Sequence, residues 1–136
     1  MAIAIFTLMQ TILFLCPHGG AKSVMAASYF NARGLPYHAE AAAAEDPYDA
    51  VPAPVAALLA SEGCDVHAFT PRAVEPAEIA QAARVVAIGC DIAGAERWDD
   101  VPMASEDLEG CAAAIRRHVD TLVHSLVGAL AGEPRG

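Results

Sequence analysis

Cys16 closes an uncharged apolar run, Ile12-Leu13-Phe14-Leu15, and is followed by Pro17-His18-Gly19-Gly20-Ala21-Lys22-Ser23. A thiol, a glycine-containing turn and a cation six residues after the thiol form a pattern with a chemical reading. Such a turn can aim several backbone N–H groups at one point, and a helix starting just after it adds partial positive charge. An oxyanion such as phosphate, arsenate or sulfate fits that cradle. Its expected contacts are His18, Gly19, Gly20, Ala21, Lys22 and Ser23. The same field favours the thiolate form of Cys16, and Ser23 is placed to donate a hydrogen bond to it. Cys16 is then a nucleophile able to form a thiophosphate intermediate. Taken alone, Cys16 reads as a small buried hydrophobe and Gly19-Gly20 as a plain turn. The full string of strand, Cys, five residues, cation, Ser and helix is what points to a site.

The loop needs a strand before it and a helix after it. Ile12–Leu15 reads as a buried strand entering the turn. Lys22–Arg33 reads as a helix with Val24, Met25, Ser28 and Tyr29 on one face and Gly34 as its stop. Tyr37–Ala41 is a second strand, weakly signalled because of its alanines. Glu45–Ala53 is a loop, and Pro54–Ser61 and Pro76–Ala83 are short helices. Arg84–Ile88 is a buried strand running into Gly89-Cys90-Asp91, and Ala95–Trp98 reads as a short edge strand. The longest helix is expected over Ser105–Ala131, with Ser105 as N-cap and Leu108, Ile115, Val119, Leu122, Leu126 and Leu130 at helical spacing. This alternation predicts an α/β fold with a parallel sheet between helices. One domain over residues 11–131 is expected, after a leading extension at Met1–Gln10 and before a fraying tail at Gly132–Gly136.

The totals set limits on function. A chain of 136 residues with 55% hydrophobic side chains can bury a substantial core. A net charge of −9 argues against nucleic-acid binding, which needs a basic face. It leaves a local anion site open, because helix-end amides act at short range. Met1–Cys16 is apolar but short for a membrane span and lacks the basic start of a signal peptide, so no membrane partner is expected. The four cysteines at 16, 64, 90 and 111 match no zinc spacing, and a reducing, cytoplasmic setting without metal or cofactor is the default. His118 and His124 lie six apart on the last helix and do not form a metal pair on one face. Arg116-Arg117 reads as a solvated patch.

The segment Thr11–Ala27 resembles the phosphate loop of the low-molecular-weight tyrosine phosphatases and the thioredoxin-coupled arsenate reductases. Their loop runs Cys, five residues, Arg, Ser or Thr, then helix. The resemblance extends through Val55–Arg72, Arg84–Asp91 and Trp98–Pro102. It implies a three-layer sandwich with a four-stranded parallel sheet. It also implies attack by Cys16 on phosphotyrosine or a smaller phosphoester, with a downstream Asp protonating the leaving group. Asp100 in Trp98-Asp99-Asp100-Val101-Pro102 is the first choice for that acid and Asp99 the second. Asp46-Pro47-Tyr48 repeats a family acid motif but stands too early in the chain, and reads as a turn with Tyr48 at the entrance. Lys22 replaces the family arginine; it keeps the charge but loses the planar fork that holds two phosphate oxygens. Pro17 removes one N–H from the loop, and His18 reads first as an exposed loop residue, with donation to an oxyanion or to the thiolate as the alternative. These departures leave anion binding more secure than turnover, and a catalytically weak oxyanion-binding domain is the alternative. In the arsenate reductase branch two relay cysteines follow the third strand. Here Cys90 lies one place beyond the first relay position and Asp91–Trp98 holds none. A complete relay is therefore not expected. Cys90 reads first as a packed strand-end residue, with a disulfide to Cys16 as the alternative; Cys64, after the second helix, and Cys111, in the last helix, read as packing residues.

Overall fold

The computed structural model describes residues 9–132. The elements run β1 (Gln10–Cys16), α1 (Lys22–Asn31), β2 (Tyr37–Ala43), α2 (Ala53–Ser61), α3 (Pro76–Gln81), β3 (Arg84–Ile88), β4 (Glu96–Trp98) and α4 (Leu108–Gly132). The four strands form one parallel sheet in the order β2-β1-β3-β4. The predicted three-layer arrangement is what the chain adopts.

β1 is a central strand with α1, α2 and α4 against one face and α3 against the other, so both its faces are apolar. Residues 12–15 are fully buried, and their alternation divides the interior in two. Ile12, Phe14 and Cys16 join the larger core with residues of α1, α2 and α4. Leu13 and Leu15 join a smaller core with Ala42, Ala87 and Cys90, against which Ile79 of α3 packs. At roughly 25 cal/mol per Å² of buried apolar surface, one such side chain contributes about 1.5–3 kcal/mol. β1 is thus the axis of the molecule, and Cys16 stands at its C-terminal end.

Several boundaries differ from the sequence expectation. Gln10 belongs to β1 and pairs with Tyr37, rather than to a leading extension. The rest of that extension, residues 1–8, lies outside the described residues, as do residues 133–136 of the expected frayed tail. α1 ends at Asn31 and α3 at Gln81, each two residues early. β2 continues through Ala43, because parallel pairing with β1 along its whole length outweighs alanine's poor strand preference. α4 starts at Leu108, not Ser105. Met103–Glu106 first close a turn, with the N–H groups of Glu106 and Asp107 both donating to the Met103 carbonyl. Asp107 then caps the helix by accepting from the Gly110 N–H at 2.9 Å. Arg116 is not simply solvated: it donates to Tyr29 Oη at 3.1 Å and Glu62 Oε2 at 3.0 Å, tying α4 to α1 and to the end of α2.

Candidate active site

The segment between β1 and α1 folds into a turn that closes on its own first residue. Cys16 Sγ lies 3.1 Å from Ser23 Oγ and 3.4 Å from the Ser23 N–H, with both side chains buried. A Cys16 thiolate can accept from both groups. Ser23 is the buried polar side chain of the core, and its hydroxyl is satisfied by the sulfur alone.

The two sides of the loop backbone have different fates. Its carbonyls face the stretch that continues β2. Cys16, Pro17 and His18 accept from the N–H groups of Ala44, Glu45 and Tyr48 at 2.9, 2.9 and 3.0 Å. The N–H groups of residues 18–22 have no protein acceptor among the described residues. Ala21 caps α1 without any side-chain hydrogen bond, so the helix end is open as well. Five successive amides free to donate, at an open helix N-terminus, form a concavity that can accept an anion.

Gly19 allows the loop to lie this close. It adopts φ +64°, and a Cβ there would stand 2.8 Å from the Ala43 nitrogen. The small residues Ala42 and Ala43 at the end of β2 are the other half of that fit. Gly89, at the end of β3, does the same for Lys22: a Cβ at Gly89 would come within 2.9 Å of Lys22 Nζ. The lysine therefore reaches across to the β3 turn, and it forms no ion pair with a described residue. Gly89 was not singled out from sequence. Its place right after a buried strand is the signal that could have found it.

A pocket of about 200 Å³ opens over Cys16. The loop residues Pro17, His18, Gly20, Ala21 and Lys22 form its floor with the thiol. Tyr48, Pro52, Pro54 and Val55 supply a second wall, and Met103, Ala104 and Ser105 a third. Tyr48 thus lines the pocket. Its ring stacks on His18 with centroids 4.8 Å apart, and lies against Gly20. His18 is not a free surface imidazole, because its Nδ1 also bonds the Asp46 carbonyl at 2.8 Å.

The expected acids are elsewhere. Neither Asp99 nor Asp100 lines the pocket, and no carboxylate among the described residues does. Asp100 binds His118 Nε2 at 2.7 Å, and that imidazole stacks on Trp98 at 4.6 Å. The hydrogen bond from His118 holds the Asp100 carboxyl below its ordinary value, against what a proton donor needs. Asp99 accepts from Arg97 Nε at 3.1 Å. The turn at Met103–Glu106 puts residues 103–105 on the pocket wall instead of 99–100.

The other thiols are held in place by packing. All four cysteines are free. Cys90 lies in the smaller core, on the opposite face of the sheet from Cys16, with Sγ 3.7 Å from the Leu15 carbonyl. Burial pushes its thiol up to about 11, and does the same to Cys111. Burial raises Cys64 too. No His, Cys, Asp or Glu group among the described residues is arranged to hold a metal ion.

No family model matches the sequence, and no curated protein sequence matches it. Solved structures do match. An arsenate reductase from Archaeoglobus fulgidus is 29% identical, with a TM-score of 0.71 over 83% of this chain and 98% of its own. An arginine phosphatase from Geobacillus stearothermophilus is 16% identical, with a TM-score of 0.74 over 91% of this chain and 97% of its own. A low-molecular-weight protein tyrosine phosphatase from Streptococcus pyogenes is 12% identical, with a TM-score of 0.75 over 87% of this chain and 93% of its own. The parallel sheet order, the turn after β1 and these full-length matches lead to one conclusion: the chain has the fold of the low-molecular-weight tyrosine phosphatases and arsenate reductases, the family that its Cys16–Ser23 loop resembles.

Proposed function

We propose that the chain is a cysteine-dependent phosphatase acting on an aryl or other small phosphoester. The observation that carries this reading is the row of unpaired amides at 18–22, bracketed by Cys16 and Ser23. Three nonbridging phosphoryl oxygens need donors and a cation, and the loop offers five N–H groups and Lys22. Cys16 Sγ attacks phosphorus, an S–P bond forms, and the ester P–O bond breaks. Water then cleaves the S–P bond and frees the thiolate. Ser23 stabilises that thiolate through the 3.1 Å contact.

The second reading is an oxyanion-binding domain without turnover. The pocket wall without a carboxylate favours it, as does lysine in place of a forked cation. Arsenate reduction has less support, because Cys90 packs on the other face of the sheet from Cys16.

One set of measurements separates these readings. Metal-free hydrolysis of an aryl phosphate by the wild type, absent in Cys16→Ser, is the expected result. Lys22→Arg is expected to raise the rate roughly tenfold, equivalent to about 1.4 kcal/mol of added transition-state stabilisation. Hydrolysis that persists in Cys16→Ser would overturn the phosphatase reading. Phosphate binding by calorimetry without hydrolysis would leave the binding domain. Consumption of a thiol reductant in step with arsenate would instead establish reduction.

A further inference from the structure

We propose that His18 supplies the leaving-group proton in place of a carboxylic acid. This inference rests on the phosphatase reading above. A departing alkoxide or phenoxide needs a proton, and the pocket holds no carboxylate among the described residues. Its ionisable side chains are Cys16, His18, Lys22 and Tyr48. Cys16 is the nucleophile and Lys22 pairs with the anion. A phenol such as Tyr48 is a much weaker acid than an imidazolium. That leaves His18.

The geometry prepares this imidazole for the task. A carbonyl can only accept, so the 2.8 Å bond to Asp46 O places a hydrogen on Nδ1. Nε2 is then the nitrogen that gains and loses a proton. The stacked Tyr48 ring fixes the plane of the imidazole, and the bond from the Tyr48 N–H to the His18 carbonyl fixes its backbone. The ionisable side chains that share the pocket with it are Cys16, Lys22 and Tyr48, and only the main chain of Asp46 bonds its ring. The wall from Met103 to Ser105 contributes no ionisable group.

In the first step Cys16 Sγ bonds to phosphorus, and the ester P–O bond breaks with its electron pair on the leaving oxygen. The proton on His18 Nε2 moves to that oxygen, and the alcohol departs, leaving neutral imidazole. In the second step Nε2 takes a proton from the attacking water as the S–P bond breaks. Phosphate and the thiolate are released, and the imidazolium is restored.

The test compares phenyl phosphate, a poor leaving group, with dinitrophenyl phosphate, a good one that needs no proton. His18→Gln keeps a donor for the Asp46 carbonyl but cannot transfer a proton. The loss with phenyl phosphate is expected to exceed the loss with dinitrophenyl phosphate by about 10²-fold. His18→Ala should regain phenyl phosphate hydrolysis when imidazole is added. Equal losses on both substrates, or no rescue, would overturn the assignment to His18 while the phosphatase reading stands. A wild type that hydrolyses neither substrate fails at the earlier step and removes both.

Discussion

Asp100 shows how a residue of the expected type can be claimed by another partner. Its carboxylate is bound by His118 at 2.7 Å, and that bond lowers its pKa in the folded chain. A lowered folded-state value means that the ionised group favours folding. This contribution is complete above the ordinary carboxylate range and fades as pH falls through the folded value. Asp100→Asn should therefore lower the urea midpoint at neutral pH, and the gap to wild type should close as pH drops from about 5 towards about 3. Urea titrations of both proteins across that range check it; a gap independent of pH would contradict the linkage. The same substitution is expected to leave aryl phosphate hydrolysis within about twofold, since the carboxylate does not line the pocket.

At the scale of elements, the loop between β1 and α1 is held by its fit to the end of β2. Gly19→Ala would meet two costs. The left-handed backbone at φ +64° disfavours any Cβ by roughly 1–2 kcal/mol. That Cβ would also lie 2.8 Å from backbone rather than from a yielding side chain. A destabilisation of about 2 kcal/mol or more is expected by denaturant unfolding, with loss of phosphate binding. How much was legible in the sequence follows from the same distinction. The strand-turn-helix around Cys16 was readable because its signals are contiguous: an apolar run, glycines, a cation and an apolar helix face. β2 was readable only in part, since its length comes from pairing with β1 and not from its alanines. The pocket walls were not readable. Pro52, Pro54 and Met103 are ordinary apolar residues whose meeting depends on where three connections pack. The place of Asp100 depends on a turn at Met103 that delays α4 and moves its cap from the expected Ser105 to Asp107.

At the scale of the whole molecule, a net charge of −9 surrounds the proposed anion site. The two effects act over different ranges. The amides and Lys22 act within a few ångströms, while the surface charge repels an approaching dianion from farther away. Raising NaCl from about 10 to about 150 mM shrinks the screening length from roughly 30 to about 8 Å. kcat/KM for an aryl phosphate dianion should then rise with salt, as stopped-time assays can measure; a steady fall would mean that the local positive field controls encounter. No described helix is long and apolar enough to cross a membrane. The carbonyls of Cys16, Pro17 and His18 are anchored by main-chain groups of Ala44, Glu45 and Tyr48. Their anchorage therefore makes no demand on side-chain identity at 17, 18, 44 or 45. Mutation can explore those positions, replacing one substrate preference or proton donor by another, without dismantling the anion cradle. The loop's posture is in that sense independent of the side chains at those positions, and random substitution at 17 and 18 should yield far more folded, phosphate-binding variants than substitution at 19.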